Sequence, residues 1–331
     1  MNKIKRIIIT GDVRRSVTSQ LGNITRFYWM LAAQIEYLTT IKPELWVTED
    51  RVSIEEWIKY YDPEYADVKP WIAEQIDLTD CLLLTWEMPY NWLSWLEKHN
   101  IPFVDFLTYP SCLFGGGLGI NSCYGVRIGK ELEKRHFDKY PPSASGIVRL
   151  IDNQLTDYDF QKKANYYRAK YAEVDRIPVE KNTGLIIGQT PIDRSLINAE
   201  GEMLTLKDYK ELLLKIKSEH SGLIFRPHPN AWDRSIDNFM INEIGCIGWD
   251  FISSYKPEGQ REWGIYDIMS EPKISGVYAI SSSCVFEAQF FDKKTVRFDE
   301  VYYNHVFNNY VPVMWTDIQK EEWLENVLEG I

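Results

Sequence analysis

Short apolar runs that stop at glycine or a polar residue, each leading into a helical pattern, constrain this chain's fold more than any other feature. The first is IKRIIITGD, whose apolar stretch Ile7 to Ile9 runs into Gly11 and Asp12. It is followed by ITRFYWMLAAQIEYLTTI, with apolar residues at helical spacing. CLLLTWEMP and the helical NWLSWLEKHN form a second unit, and IPFVDFLTYP opens a third. A parallel strand covered on both faces reads as a continuous apolar run, and a glycine after it lets the chain turn into a helix. Repetition of that unit predicts a doubly wound α/β architecture.

The series then restarts. Residues from about 127 to 177 are charged and helical (GKELEKRHFDKY, FQKKANYYRAKYAEV). After them GLIIGQ reads as a strand, TLKDYKELLLKIKSEH as a helix and GLIFRPHP as a strand entering a loop. SGVYAISSSCVFEAQFFDKKTVRF reads as strand, turn, helix and strand. A length of 331 residues also exceeds the roughly 100–200 expected of one domain. The expected organisation is two Rossmann-like domains, 1–177 with a helical connection and 178–331, packed around a cleft. The boundary falls near residues 175–182, without a Pro/Gly-rich linker.

Composition narrows the function classes. The net charge of −11 argues against a nucleic-acid partner, which needs clustered Lys and Arg to displace counterions. It leaves room for an anionic small molecule, since a few arginines and helix N-termini can hold one. No apolar run approaches the roughly 20 residues that span a bilayer, and Ile7 to Ile9 is too short for a signal-peptide core. Five cysteines with no CxxC pair fit a reducing compartment, so a cytoplasmic location is expected. The 12 Trp, 20 Tyr and 14 Phe suit either carbohydrate contacts or an aromatic-rich core, and composition does not separate the two.

Three loops of the second half fall where strands should end at their carboxyl edges, the edge at which open α/β sheets bind ligands. The first runs from Gly188 through Gln189, Thr190, Pro191, Ile192, Asp193 and Arg194 to Ser195. Asp193 there reads as a nucleophile, a base or a helix cap, and spacing alone favours the cap. The second is Arg226-Pro227-His228-Pro229, whose prolines stiffen a loop carrying a guanidinium and an imidazole. The third is Ser281-Ser282-Ser283, opening the helix VFEAQFF. One serine suffices to cap a helix, whereas three supply donors for a phosphate or carboxylate.

In the first half Glu87 ends CLLLTWE, and across a cleft it would stand opposite Asp193. Paired carboxylates flanking a sugar are the equipment of glycosyl transfer, although a solvated carboxylate at a strand end reads equally well. Gly115-Gly116-Gly117-Leu118-Gly119 lacks the spacing of a dinucleotide fingerprint and has no Gly-Lys-Ser/Thr after it. It reads as a flexible loop at the cleft. No DxD-like pair ends a strand, and the His and Cys spacing suggests no zinc site, so no metal is expected.

Gln189 with Asp193, the Arg226–Pro229 loop, and Ser281–Ser283 ahead of FEAQFFDKKTV together resemble the retaining β-Kdo glycosyltransferases of bacterial capsule and O-antigen (lipopolysaccharide) assembly. These use CMP-β-Kdo and are distantly related to sialyltransferases. TGDVRR, GNITRFYWML and Trp86-Glu87 support the resemblance more weakly. It implies a GT-B-like fold with an N-terminal acceptor-side domain and a C-terminal CMP-sugar domain. It further implies no cofactor or metal, Asp193 as the carboxylate that forms a covalent Kdo adduct, and Glu87 as acid/base. His228 would be the third catalytic residue, at the CMP phosphate, and donor binding would fall to Gln189, Arg194, Ser195, Arg226, Pro229, Ser281, Ser282, Ser283 and Glu287. The partners implied are a CMP-sugar donor and a glycan acceptor, with the chain as one module of a larger polysaccharide-assembly enzyme, peripheral at the inner membrane through other modules. The alternatives are an inverting CMP-sialic acid transferase and a non-catalytic glycan-binding module.

Overall fold

The computed structural model describes residues 4–15, 20–114, 121–139, 151, 153–171, 177–229, 231, 234–255 and 264–328. The Gly115–Gly119 loop lies outside these residues, as do residues 175 and 176 of the expected boundary.

Among the described residues the chain is an α/β protein with two sheets. The first holds β1 (Arg6–Gly11), β2 (Glu44–Leu45), β3 (Cys81–Trp86), β4 (Phe103–Thr108) and β5 (Cys123–Ile128). The second holds β6 (Thr183–Ile187), β7 (Gly222–Arg226), β8 (Ile247–Gly248), β9 (Ile274–Ala279) and β10 (Lys294–Arg297). A last strand, β11 (Val311–Met314), returns to the first sheet. The strand orders are β11-β5-β4-β3-β1-β2 and β10-β9-β6-β7-β8. β1 to β4 run parallel, whereas β5 is antiparallel to both β4 and β11. All pairings in the second sheet are parallel.

Side chains alternate across each strand, so every central strand feeds two cores. In β1 and β3, Ile7, Ile9, Leu82 and Leu84 face the helices Leu21–Thr39 and Glu321–Leu328, with Phe27, Leu31 and Leu324 among their partners. Ile8 and Leu83 face the other way, toward Trp57, Trp92 and Leu96. In the second sheet Leu185, Ile224 and Val277 share one core with Val285 and Ala288. Ile186, Phe225 and Tyr278 share the opposite one with Leu213 and Ile216. Trp57, Trp86, Trp92, Trp315 and Trp323 are fully buried, so a large part of the tryptophan content builds core.

Arg127 and Ile128, expected to begin the helical connection, instead end β5. Partners on both sides, β4 and β11, satisfy their strand's backbone groups and hold it extended. The helix expected from Thr205 begins as a one-turn 3-10 segment, Leu206–Tyr209, capped by Thr205 and Asp208, and becomes α-helical at Lys210–Glu219. No helix among the described residues is long and apolar enough to cross a membrane.

Each sheet reverses its order of winding once. In the first, β2 lies on one side of β1 while β3 and β4 lie on the other. In the second, β7 and β8 lie on one side of β6 while β9 and β10 lie on the other. The loops leaving such neighbours diverge to opposite faces and leave a crevice at the carboxyl edge of the sheet.

Candidate functional site

The loops leaving β1 and β3 carry Asp12, Arg15 and Glu87; those leaving β6 and β9 carry Gln189 to Ser195 and Ser281 to Ser283. Arg15 and Glu87 from the first set, and Gln189, Thr190, Asp193 to Ser195 and Ser281 to Ser283 from the second, line one cavity of about 350 Å³, together with His228 from the β7 loop, Thr108 to Ser111 from the β4 end, and Tyr302. The crevices of the two sheets thus open onto the same space.

Glu87 is placed by stitching at the strand ends. Its N–H donates to Phe106 O at 2.7 Å, and Asp12 N–H donates to Trp86 O at 3.1 Å. Gly11 is required for this approach, because a Cβ there would lie 2.1 Å from Trp86 O. Glu87 itself has φ of 51°, a left-handed conformation that costs a non-glycine residue energy and concentrates at functional sites. Met88 N–H then donates to Asp105 Oδ1 at 3.1 Å and fixes the chain beyond the turn. Gln20 Nε2 holds Glu87 Oε2 at 2.8 Å.

Asp193 follows Ile192, whose φ of 55° is likewise left-handed. It is a helix cap: Oδ1 accepts from Ser195 N–H at 3.0 Å and starts the 3-10 turn Arg194–Leu196. Its second oxygen accepts from Arg15 Nη2 at 2.8 Å. Arg15 Nη1 also stands 3.8 Å from Glu87 Oε2, so one guanidinium holds the carboxylates of both sheets. Burial pushes the Asp193 carboxyl upward, but the Arg15 charge and the Ser195 hydrogen bond outweigh it and hold the group below its ordinary range. Asp193 is therefore ionised at neutral pH.

Gln189 bridges the β6/β9 crevice. Its Nε2 donates to Ser281 Oγ at 2.9 Å and Ser195 Oγ at 3.1 Å, and its Oε1 accepts from Ser281 N–H at 2.8 Å. Ser281 hydroxyl donates in turn to Ser195 O. The first serine of the run thus fixes loops to one another, while Ser282 caps the helix Ser283–Gln289. His228 Nδ1 lies 3.0 Å from Thr190 Oγ1. Burial, aided by Arg226 and opposed by Asp193, lowers the His228 pKa, so the ring is neutral at pH 7.

Arg194 lines the cavity yet is only 4% exposed. Its guanidinium lies 5.7 Å from the Tyr302 ring centre, and its Nη2 has no hydrogen-bond partner among the described residues. A buried cation with an unused donor is costly unless an anion completes it.

The structure therefore brings Glu87, Gln189, Asp193, Arg194, Ser195, His228 and Ser281–Ser283 together. Arg226, Pro229 and Glu287 do not line this cavity. The Arg226 guanidinium lies 5.0 Å from the Trp249 ring centre, Pro229 is exposed, and Glu287 is fully buried. Sequence reasoning missed Arg15 and Tyr302 as site residues. The pair Arg14-Arg15 directly after a strand end was a usable signal for the first; Tyr302, within the helix Val301–Asn309, had none.

No known protein-family profile matches the chain. No curated protein sequence matches it either. Among solved structures it is similar to Thermosulfurimonas dismutans KpsC, a β-Kdo 2,7 transferase, with TM-score 0.41 and 14% sequence identity over 89% of this chain and 79% of that one.

Proposed function

We propose that this chain is a retaining glycosyltransferase that moves Kdo from CMP-β-Kdo to a hydroxyl of a glycan acceptor. In this reading the two sheets form a GT-B-like pair, the first facing the acceptor and the second the donor, with β11 returning from the donor side. The observation that carries it is the pairing of Asp193 and Glu87, one from each sheet's crevice, by Arg15 in a single cavity. Two carboxylates meeting at one sugar-sized space supply a nucleophile and an acid/base for double displacement.

In the first step an Asp193 oxygen attacks the anomeric carbon of Kdo, the bond from that carbon to the phosphate oxygen breaks, and CMP leaves with the electron pair. In the second, the acceptor hydroxyl attacks the same carbon from the opposite face. Its proton passes to Glu87 and the ester bond to Asp193 breaks. Each step inverts, and the sum retains. An ionised Asp193 serves as nucleophile without first losing a proton. The Arg194 guanidinium, kept charged beside Glu87 at the cavity wall, adds positive potential that favours an acidic sugar.

The test is transfer from CMP-β-Kdo to a glycan acceptor, with the anomeric configuration of the product read by NMR. A β-linked product from wild type, and loss of transfer with CMP binding kept in Asp193→Asn, are expected. An α-linked product, as an inverting enzyme would give, refutes the double displacement, and absence of CMP binding refutes the nucleotide-sugar reading.

A further inference from the structure

Asp12 and Arg15 leave the same turn after β1, and each keeps one buried polar atom unused. Asp12 is fully buried. Its Oδ2 accepts from Trp57 Nε1 at 3.2 Å and from Tyr61 Oη at 3.1 Å, whereas its Oδ1 has no hydrogen-bond partner among the described residues. Arg15 Nη2 donates to Asp193 Oδ2 at 2.8 Å, while the buried Arg15 Nε donates to none of them. A spare acceptor and a spare donor three residues apart are complementary. Trp57 touches both groups: its N–H holds Asp12, and its ring centre lies 5.4 Å from the Arg15 guanidinium carbon. Buried polar atoms without partners are costly, and each calls for an explanation.

The reaction gives these two atoms a use. Attack forms a bond between an Asp193 oxygen and the anomeric carbon, the bond to the phosphate oxygen breaks, and CMP takes the electron pair. The Asp193 carboxylate thereby becomes a neutral ester. Arg15, whose side chain is 7% exposed, loses the anion it was paired with, and a buried cation without a counter-charge is costly. Glu87, at 3.8 Å, becomes neutral in its turn when it takes the acceptor proton. Asp12 takes part in no bond change. Burial raises its carboxyl to about 6, so it is ionised at pH 7.

We propose that Asp12 is a positioning residue that takes over the Arg15 guanidinium as Asp193 is esterified, an inference that rests on the double-displacement reading and deepens it. Arg15 Nε then meets Asp12 Oδ1, and the guanidinium stays against the Trp57 ring. When the acceptor hydroxyl displaces Asp193, the carboxylate is restored and Arg15 returns to it. One arginine serves two carboxylates in turn.

The experiment follows CMP release in a single turnover, with CMP-β-Kdo mixed into excess full chain at pH 7 without acceptor. Asp12→Asn keeps the shape of the side chain and removes its charge. It should slow release at least tenfold while CMP affinity, read by calorimetry, stays within twofold. In an Arg15→Met background, which has no cation to relocate, the same replacement should change release less than twofold. A merely structural Asp12 would slow release equally in both backgrounds, and that result overturns the proposal, as does undiminished release by Asp12→Asn. Should a variant fail to fold, arginine Nε–H exchange in ¹⁵N-labelled Glu87→Gln decides. One arginine is expected to gain protection with CMP-β-Kdo and not with CMP, and equal protection in the two overturns the proposal. Failure of wild type to release CMP overturns the double displacement itself.

Discussion

Replacing Arg15 by Met should expose how strongly the two halves of the site are coupled. The guanidinium is 7% exposed and touches Asp193 at 2.8 Å and Glu87 at 3.8 Å, and its charge also faces the buried Asp12. At an effective dielectric of about 20, unit charges roughly 4 Å apart interact by about 4 kcal/mol. The Asp193 side chain is 33% exposed, so water screens the pair and the expected coupling falls to about 1–3 kcal/mol. A double-mutant cycle of Arg15→Met with Asp193→Asn, read by urea unfolding at pH 7, measures it directly. The sign with pH follows from the depressed Asp193 pKa: the contribution is present above the unfolded value of about 4 and is lost as pH falls through the folded value. The coupling should therefore shrink toward pH 3. Additivity of the two substitutions within about 0.5 kcal/mol at pH 7 would refute the view that Arg15 joins the two sheets' carboxylates.

Other consequences can be measured separately. Gly11→Ala forces a Cβ against Trp86 O, so it should cost about 1–3 kcal/mol or more in thermal unfolding and lower transfer by displacing Glu87; an unchanged Tm would contradict the close approach of β1 and β3. Burial raises the Asp12 carboxyl to about 6 despite Arg15 and hydrogen bonds from Trp57 and Tyr61. The folded state then binds the proton more tightly than the unfolded chain, and stability should fall by roughly 2–3 kcal/mol as pH rises from about 4 to 6. Burial raises the Asp105 carboxyl to about 6 as well, so Asp12→Asn should remove about half of the pH-dependent loss in urea titrations across the window, and an unchanged slope would contradict the raised Asp12 pKa.

Strand and helix order were legible because each central strand is covered on both faces and so appears as an unbroken apolar run: CLLLTW is buried at every position. β5 and β11 were not. CYGVRI is broken by Gly125 and ends in Arg127 and Ile128 beside a charged run, whereas VPVM has only four residues, carries Pro312 and pairs with β5 far away in sequence. The three loops of the second sheet could be marked because they follow its strands directly. Arg15 acts through a partner 178 residues away, and no local pattern announces such a pair. The rule that ligands bind at carboxyl edges pointed to the three loops, but not to which of their side chains face the cavity. Arg226 was assigned by its charge, whereas its guanidinium lies over Trp249.

The central claim is that Asp193 becomes covalently attached to the donor sugar. Intact-protein mass spectrometry after mixing Glu87→Gln with CMP-β-Kdo measures this, because loss of the acid/base slows the second step and lets the adduct accumulate. The account predicts a mass gain equal to one Kdo residue, mapped to the peptide bearing Asp193 and absent in Glu87→Gln/Asp193→Asn. No mass gain in Glu87→Gln, with transfer still proceeding in Asp193→Asn alone, would contradict it.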